Sequence, residues 1–516
     1  MKERKKLPLG IQNLREIREG GYYYVDKTEF AHGLATEGKY YFLSRPRRFG
    51  KSLFVDTLKE LFEGTEALFQ GLYIHDKWDW SKRYPVISIS FSDGVLKSRN
   101  ELDEKILEIL ARERKGIGVN FSSSSISGMF AELIEAAFRK YDSRAVILID
   151  EYDKPILDNI EDSSLAQEMR EGLKNFYSVL KGADPYLRFV LLTGVSKFSK
   201  VSLFSGLNNL TDITMDKNYS AVCGYSERDL DEVFAPEVNG LDRHEIRDWY
   251  NGYNWLGEAV YNPFDLLLLF RNREFKPYWF ETGTPAFLVK LLWQRKTWLP
   301  SLDQIFTSET LISTFDVDNI PTEALMFQAG YLTIKNFHQI PGRLEIGLGY
   351  PNKEVKSALN DSLLLAMVGN DAAHIRSTSR AYAALLKNDL NALGSLIKSF
   401  FAGIPYQWHT NNDIAKYEGY YASVFYAYFA SLGLDIETEE SSRAGRLDMA
   451  ICFNEHIYLF EFKVVELEPE GKALEQIKRQ GYAEKYRGQA TSIYLIGVEF
   501  SRDKREVVEF GVEKYD

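Results

Sequence analysis

The stretch YYFLSRPRRFGKS, residues Tyr40–Ser52, decides the fold predicted for the first half of the chain. Its first five residues are apolar enough for a buried strand, and Leu53–Phe62 follows with the apolar spacing of a helix. The end of the quoted stretch matches the end of a phosphate-binding loop. Gly50 would let the backbone approach the phosphates, Lys51 would reach the β and γ oxygens, and Ser52 would ligate Mg²⁺. The pattern therefore predicts a strand, a loop and a helix that bind a nucleotide.

The start of this loop departs from the general pattern. That pattern begins with glycine, whereas this chain has Arg45 followed by Pro46, so the start of the loop must be shaped differently. The residues that follow, Arg47, Arg48 and Phe49, are expected to contact the nucleotide together with the motif. Taken alone, Gly-Lys-Ser also fits a helix N-terminus with a solvated lysine.

A second apolar run ends in two carboxylates. Residues 145–151 read AVILIDE, an arrangement that would place Asp150 on the magnesium shell and Glu151 over the attacking water. A strand end followed by a helix N-cap is the alternative, and the phosphate loop upstream makes catalysis the favoured interpretation. A further predicted strand ends at Thr193, and either Thr193 or Ser196 is expected to sense the γ-phosphate.

Short apolar runs alternate with helical patterns through the first 215 residues, the rhythm of a parallel sheet covered by helices. The strands predicted there are Tyr40–Ser44, Pro85–Phe91, Ala145–Ile149, Leu187–Thr193 and Thr211–Met215. Beyond them the pattern is helical and aromatic, then mixed with short strands near 331–334 and 344–348, then helical, and finally α/β again. We therefore predict an α/β multidomain protein. Its parts are a P-loop core at 1–220, a helical lid at 221–300, a winged-helix-like unit and helical connector at 301–400, and a second α/β domain at 401–516.

Several segments together resemble the prokaryotic AAA-ATPase-like family across roughly the first 300 residues. They are Tyr24–Thr28, Arg45–Ser52, Asp150–Pro155, Thr193–Asn209 and Thr282–Pro285. In that family, arginine at the first loop position is usual. The resemblance implies an additional-strand P-loop ATPase with the strand order 5-1-4-3-2. It also implies an arginine finger, for which Arg47, Arg48 and Lys197 are candidates, with a solvated charge as the alternative for each.

Two apolar runs near the C-terminus carry charged residues in a regular pattern. Residues 445–452 and 456–463 alternate as two strands joined by a short turn. Strand periodicity places Glu461 and Lys463 on one face. If Asp448 lies on the same side, two carboxylates can hold Mg²⁺ while Lys463 orients the attacking water for phosphodiester cleavage. An exposed sheet face with a cross-strand salt bridge is the alternative, but the apolar surroundings of Glu461 favour a functional carboxylate.

This spacing resembles the PD-(D/E)XK nuclease superfamily. The resemblance implies an acidic residue from a preceding helix, for which Glu418 in the helical pattern Asp413–Leu432 is the candidate. It also implies glutamine and aromatic residues on a later helix, matched by Gln476, Gln480 and Tyr482. The predicted catalytic residues of the whole chain are Glu151, Glu418, Asp448, Glu461 and Lys463. The predicted metal ligands are Ser52, Asp150, Asp448 and Glu461.

The composition sets broad limits. With 45% hydrophobic and 27% charged residues the chain has an ordinary soluble composition, and no apolar run approaches the ~20 residues of a membrane span. No apolar segment follows the basic N-terminal residues, so a secretory signal is not expected. The expected location is the cytoplasm. Cys223 and Cys452 lie too far apart in the sequence to suggest a disulfide framework or a zinc site, and both are expected to be buried.

Charge bears on the choice of function. The net charge is −11, and residues 401–516 hold 13 Lys and Arg against 20 Asp and Glu, which is unfavourable for gripping a polyanion unless metal and local geometry compensate. The favoured hypothesis is nonetheless an ATP-binding ATPase that controls a Mg²⁺-dependent nuclease acting on DNA or RNA. The alternative is a signalling or scaffold ATPase whose C-terminal domain binds a partner or nucleic acid without cleavage. A transport or remodelling motor ranks last. ATP and Mg²⁺ are the expected cofactors, no membrane partner is expected, and homo-oligomerisation is left open.

Overall fold

The structure, a computed structural model, forms two compact units: Met1–Trp279 with Ile305–Asn352, and Phe280–Gln304 with Lys353–Asp516. It describes residues 4–120, 122–197, 209–281, 286–295, 297, 299–312, 321–368, 371–403, 418–442, 445–504 and 506–515. The segment Thr282–Pro285 and most of Thr193–Asn209, both used for the family resemblance, lie outside these residues. No helix in the described ranges is long and apolar enough to cross a membrane.

The first unit is built on a five-stranded parallel sheet. Its strands are β1 (Tyr40–Ser44), β2 (Val86–Ser90), β3 (Ala145–Asp150), β4 (Leu187–Gly194) and β5 (Thr211–Asp212). They lie in the order β2-β3-β4-β1-β5, with parallel pairing throughout. Counted from the other edge this is 5-1-4-3-2, the order that the family resemblance implies. The first four strands agree with the prediction to within one residue at each end, whereas β5 is shorter than predicted.

Helices flank this sheet as the alternating pattern predicts. They are α1 (Leu14–Glu19), α2 (Thr28–Glu37), α3 (Lys51–Glu63), α4 (Arg99–Ile117), α5 (Ile126–Tyr141), α6 (Lys154–Leu157) and α7 (Ser163–Gly182). Every residue of β1 and β3 is buried, as expected for parallel strands covered on both faces. The carboxyl ends of these strands therefore form the edge at which polar side chains can meet a ligand.

Short helices follow the sheet. They are α8 (Glu227–Glu232), α9 (Ala235–Val238), α10 (Arg243–Tyr250), α11 (Pro263–Asn272), α12 (Tyr278–Glu281) and α13 (Ala286–Gln294). The boundary at Trp279 falls within α12, and α13 belongs to the second unit. Phe234, Ile246 and Phe270 belong to one apolar core in this region. The helical and aromatic character predicted for residues 225–300 is thus present.

A small antiparallel sheet completes the first unit. The elements are β6 (Ile305–Ser308), α14 (Glu309–Ile312), α15 (Thr322–Ala329), β7 (Thr333–Ile340) and β8 (Arg343–Gly349), and the strand order is β6-β8-β7. The two short strands predicted near 331–334 and 344–348 correspond to β7 and β8. The four-part division of the chain, including a winged-helix-like unit, stays a prediction.

The second unit contains a mixed sheet. Its helices after residue 352 are α16 (Lys353–Val368), α17 (Asp371–Leu386), α18 (Leu390–Ala402), α19 (Glu418–Ala430) and α20 (Lys472–Gln480). Its strands are β9 (Asp435–Ser442), β10 (Gly445–Phe453), β11 (His456–Val465), β12 (Ser492–Ser501) and β13 (Val507–Tyr515), in the order β13-β12-β11-β10-β9. Only the β11–β12 pairing is parallel among these described strands. The turn between β10 and β11 has positive φ at Asn454 and Glu455, 50° and 64°, which suits a two-residue hairpin.

The two faces of the mixed sheet carry different helices. On one face, the ring of Phe425 from α19 lies 4.9 Å from the ring of Phe462 on β11. On the other face, Leu459 of β11 shares an apolar core with Ile477 of α20. Because side chains alternate along a strand, Glu461 lies on the α20 face, opposite to Phe462.

The two cysteines differ in exposure. Cys223 is buried, as expected, and Cys452 is exposed, so the expectation of burial is wrong for Cys452. The reason is its position: β10 ends one residue later at the hairpin turn, where the sheet meets solvent.

Candidate functional sites

The predicted phosphate loop connects β1 to α3. α3 begins at Lys51, directly after Gly50, whose φ is 91°. A Cβ at Gly50 would meet no atom within 4 Å, so glycine is needed there for its backbone conformation rather than for space. Arg48 also has a positive φ, 70°. The loop thus leads into a helix N-terminus, where backbone N–H groups lack helical partners and attract anions.

Lys51 is a buried cation at this helix N-terminus. Its side chain is 7% exposed, and its Nζ donates to the carbonyl oxygens of Arg45 and Pro46, both at 2.9 Å. Within the described ranges it forms no ion pair with a carboxylate. Burial lowers the pKa of Lys51, and the negative charge of Asp150 opposes that shift. A buried ammonium held by neutral carbonyls suits an anionic ligand.

Arg45 explains how the loop starts without glycine. Its completely buried guanidinium donates to the carbonyl oxygens of Ser44 at 2.8 Å, Thr214 at 3.0 Å and Tyr219 at 3.0 Å. Its Cζ lies 4.0 Å from the ring centroid of Trp255. Burial lowers the pKa of Arg45 to about 10, which leaves it charged at neutral pH. The arginine is therefore a structural cation under the loop.

The remaining predicted loop residues take different positions. Arg47 and Arg48 are exposed on the loop. Phe49 is buried, and its ring centroid lies 4.7 Å from that of Tyr253 and 5.6 Å from that of Trp255. The Phe49 side chain therefore anchors the loop to the region between α10 and α11, and any contact of Phe49 with a nucleotide would come from its backbone.

The end of β3 brings the predicted carboxylates to the same sheet edge. Asp150 is buried, and its Oδ1 accepts hydrogen bonds from Thr193 Oγ1 at 2.5 Å and from Glu151 N at 3.0 Å. Its Oδ2 accepts no hydrogen bond from the described residues. Glu151 has a φ of 52°. Burial, and then the charge of Asp150, raise the pKa of Glu151, while Lys51 opposes the shift.

Asp153 is a site-forming residue that was not among the predicted site residues. It is buried, and its Oδ2 accepts from Val195 N at 3.0 Å, Ser196 N at 2.6 Å and Ser196 Oγ at 2.6 Å. Burial raises the pKa of Asp153, and the hydrogen bonds from Ser196 oppose that rise. The Ser196 hydroxyl donates to Asp153 and that of Thr193 donates to Asp150, so both have carboxylate partners, and a γ-phosphate sensor at Thr193 or Ser196 stays a prediction.

Lys197, one of the candidate fingers, has partners within its own unit. Its Nζ pairs with Asp212 on β5, and its backbone N–H donates to Gln328 Oε1 at 2.8 Å. Arg47 and Arg48 stay the more accessible candidates.

The C-terminal carboxylates lie on the α20 face of the mixed sheet. The register pairs Met449 of β10 with Phe460 of β11, and the next residues on the two strands outside that pair are Asp448 and Glu461. By alternation these two share the face of Ala450 and Leu459. Asp448 Oδ2 accepts a hydrogen bond from Phe462 N at 2.8 Å. Glu461 is 1% exposed, and its Oε1 lies 3.5 Å from Lys463 Nζ. The structure thus brings the three predicted residues together, and Glu461 is buried as its apolar surroundings predict.

Helix α20 closes over Glu461. Gln476 Nε2 donates to Glu461 Oε1, as the resemblance implies for a glutamine near the site. Gly497 on β12 is the register partner of Glu461, and a Cβ there would lie 2.4 Å from Leu474 N. Glycine at this position therefore lets the helix backbone lie directly on the sheet.

A second buried carboxylate, Glu499, holds the start of α20. It is 1% exposed and accepts hydrogen bonds from Glu470 N at 2.6 Å, Gly471 N at 3.1 Å and Ala473 N at 3.1 Å. It is also the register partner of Lys463. Glu499 was not among the predicted site residues, although a lone glutamate in an apolar strand is the same signal that identified Glu461.

The weaker candidates divide between core and surface. Tyr482 is buried in the apolar core that contains Ile477, so its ring is a packing residue, whereas Gln480 is half-buried at the end of α20. Glu418 begins α19, which packs through Phe425 on the face opposite to Glu461. The Glu418 side chain lies outside the described residues, so its catalytic role stays a prediction.

The donor sets can be compared with what Mg²⁺ requires. Within the described ranges, no group of three or more His, Cys, Asp or Glu is placed to hold a metal. Mg²⁺ keeps several waters and takes phosphate oxygens, so one or two protein ligands suffice. Ser52, half-buried in the first turn of α3, and Asp150 offer a hydroxyl and a carboxylate, while Asp448 and Glu461 offer two carboxylates. Both sets fit Mg²⁺ better than a soft metal.

Comparison with known proteins agrees with the two family resemblances, one in the N-terminal and one in the C-terminal part of the chain. Residues 8–204 match the family described as Predicted AAA-ATPase, and residues 416–510 match the PD-(D/E)XK nuclease superfamily. A protein of Azotobacter chroococcum mcd 1, described as an uncharacterized protein in the vnfD 5' region, is 58% identical over 511 residues, which cover 99% of each chain. No solved structure matches. The chain therefore belongs to the AAA-ATPase-like family and carries a PD-(D/E)XK nuclease superfamily domain at its C-terminal end.

Proposed function

We propose that this protein is an ATP-binding ATPase coupled to a Mg²⁺-dependent nuclease that acts on nucleic acid. The observation that carries the nuclease half is Glu461, which is 1% exposed inside an apolar strand and lies 3.5 Å from Lys463. A buried carboxylate is costly unless charge, hydrogen bonds or metal compensate, and such groups concentrate at functional sites. An ordinary exposed sheet face would not bury this group.

ATP binding and hydrolysis would use the residues at the N-terminal end of α3 and at the carboxyl ends of the neighbouring strands. The Lys51 ammonium has three N–H donors, two of which bond the carbonyls of Arg45 and Pro46, so it would donate to β and γ phosphate oxygens while those carbonyls hold it in place. Ser52 and Asp150 would hold Mg²⁺, which when bound supplies positive charge beside the transferred phosphoryl group. Glu151, with its raised pKa, would take a proton from the attacking water near neutral pH. Thr193 would orient Asp150 through the 2.5 Å hydrogen bond.

The nuclease half would use the α20 face of the mixed sheet. Asp448 and Glu461 would hold Mg²⁺, which when bound stabilises charge on the cleaved phosphate. Lys463 would orient the attacking water. Gln476 would fix Glu461 Oε1, and Phe462 N would fix Asp448 Oδ2. ATP binding would control the cleavage.

A signalling or scaffold ATPase is the second candidate. Its C-terminal domain would bind a partner or nucleic acid without cutting it. The excess of acidic residues in 401–516, 20 against 13 basic ones, favours this candidate.

Cleavage assays on the full-length protein separate the candidates. Single- and double-stranded DNA and RNA are incubated with Mg²⁺, with and without ATP, using wild type, Asp448→Ala, Glu461→Gln and Lys51→Ala. The matched control is Glu513→Gln, a half-exposed carboxylate on β13 of the same sheet that pairs with Lys478. We expect the first two variants to lose cleavage, the control to retain it, and Lys51→Ala to lose ATP binding and ATP dependence.

The possible outcomes test the nuclease proposal and the ATP-binding proposal separately. A wild-type protein that binds ATP but cuts none of the four substrates would refute the nuclease and support the scaffold. Unchanged ATP affinity in Lys51→Ala would refute the phosphate site. Cleavage that persists in Asp448→Ala and Glu461→Gln would exclude Asp448 and Glu461 as the metal ligands.

A further inference from the structure

Arg45 occupies the position where the general phosphate loop has its first glycine, and its side chain is completely buried. None of the described carboxylates forms an ion pair with it. Its guanidinium instead donates to three backbone carbonyls, those of Ser44, Thr214 and Tyr219, at 2.8–3.0 Å. A buried cation without a counter-ion is expensive, so its contacts must achieve something that an apolar side chain could not.

These contacts fix the first turn of the loop from several directions. Ser44 ends β1, while Thr214 and Tyr219 lie in the segment that follows β5. The Arg45 backbone N–H donates to Gly194 O on β4 at 3.1 Å. The Trp255 ring covers the guanidinium at 4.0 Å, a distance at which a cation is attracted to an aromatic face. The direction of the Arg45 carbonyl is thereby fixed.

That carbonyl, with the carbonyl of Pro46, holds Lys51 Nζ at 2.9 Å. The loop turn that Arg45 fixes is therefore the turn that places the Lys51 ammonium. We infer that Arg45 is a positioning residue for nucleotide binding, which acts through Lys51. The inference rests on the proposed ATP binding and adds to it the residue that replaces the missing glycine.

Nucleotide titrations of full-length variants test this role. Arg45→Met removes the donors but keeps an unbranched side chain, and Arg45→Lys keeps a charge that cannot reach all three carbonyls. The matched control is Arg188→Met: Arg188 lies at the opposite end of the sheet, near the start of β4, and donates to Ala35 O at 2.6 Å. We expect Arg45→Met to weaken ATP and ADP binding about tenfold or more, the scale of one hydrogen bond to a charged group. Arg45→Lys should fall between it and wild type, and Arg188→Met should bind as wild type.

Two readouts separate positioning from a general loss of structure. AMP lacks the phosphates that Lys51 reaches, so its affinity should change little in Arg45→Met. In a double-mutant cycle, Arg45→Met should add no further loss to Lys51→Ala, because both act on one interaction.

Each outcome has a definite meaning. Unchanged ATP affinity in Arg45→Met, equal losses for ATP and AMP, or additive losses with Lys51→Ala would overturn the inference. If neither Arg45 variant folds, the residue serves the fold, and the positioning role is likewise overturned. If wild type binds no ATP, the proposed function fails first, which distinguishes that failure from failure of the Arg45 role alone.

Discussion

The close approach of α20 to the mixed sheet at Gly497 leads to a specific prediction. A Cβ added there would lie 2.4 Å from Leu474 N and 2.8 Å from Leu474 Cα, whereas ordinary contact begins at 3.4 Å. These are backbone atoms, so no side-chain rotation relieves the overlap. In Gly497→Ala, α20 must therefore move away from β12 by about 1 Å.

The expected cost follows from this displacement. Overpacking of this kind lowers the free energy of unfolding by about 1–3 kcal/mol. For a unit of this size, that corresponds to a melting temperature lower by roughly 2–12 °C. The same helix carries Gln476, which contacts Glu461. A displacement near 1 Å at a catalytic group costs on the order of 10²-fold in rate, so cleavage should fall by about that factor.

The register partner of Gly497 supplies a matched control. Gly511 lies opposite it on β13, and the nearest atom to a Cβ there would be Leu474 Cδ2 at 3.3 Å, the movable end of a side chain, with Glu509 Oε1 and Leu474 Cβ at ordinary contact distances of 3.7 and 3.8 Å. Gly511→Ala should change the free energy of unfolding by less than about 1 kcal/mol. Calorimetry and Mg²⁺-dependent cleavage are measured on both full-length variants. If Gly497→Ala has the melting temperature and the cleavage rate of wild type, the α20 backbone does not lie directly on the sheet at this position. If the wild type does not cleave nucleic acid, the melting temperatures alone test the prediction.

Three further predictions concern the buried Glu499 and the half-buried Glu151. Glu499→Gln removes the charge that accepts three N–H groups at the start of α20, and urea denaturation should show a free energy of unfolding lower by about 1–2 kcal/mol. Exposed Glu475→Gln in the first turn of the same helix removes a charge but none of these hydrogen bonds and should cost less, about 0.3–1 kcal/mol; equal midpoints for the two would exclude this capping role. Glu151→Gln should bind ATP normally but release phosphate at least about 10²-fold more slowly, and hydrolysis at the wild-type rate would exclude Glu151 as the base. Because burial raises the pKa of Glu151, wild-type hydrolysis should be constant above that pKa and fall as pH decreases through it; a kcat that rises on acidification would contradict this role.

The sequence predicted the first sheet well because its signals are local. A parallel strand covered on both faces is a continuous apolar run, and β3, AVILID, is buried at every position. The glycine and lysine of the phosphate loop follow β1 directly, so strand, loop and helix could be placed without any long-range contact. The same holds for the β10–β11 hairpin, in which alternation placed Glu461 and Lys463 on one face.

The side-chain partners could not be predicted because they join distant parts of the chain. Arg45 contacts carbonyls at residues 214 and 219, and no spacing near residue 45 points to them. Glu461 and Glu499 illustrate the limit: both are buried acids in apolar strands. Only their partners distinguish them, since Glu499 takes backbone N–H groups of α20, whereas Glu461 meets the side chains of Gln476 and Lys463.

The acidic charge of the C-terminal region is weaker evidence for a scaffold than its total suggests. Charges beyond about 10 Å are screened at 0.1 M salt, so a nucleic acid responds to the groups near its path rather than to the sum. Residues 472–487, which begin with α20 and so include Gln476, hold five basic residues against two acidic ones. Three of the five, Lys472, Lys478 and Lys485, pair with glutamates outside the segment, and Arg487 pairs with Glu484 inside it. Arg479 is exposed with no ion pair to the described residues. The charges beside Glu461 therefore largely balance one another, although the domain as a whole is acidic. The choice between nuclease and scaffold depends on the carboxylates under that helix rather than on the net charge.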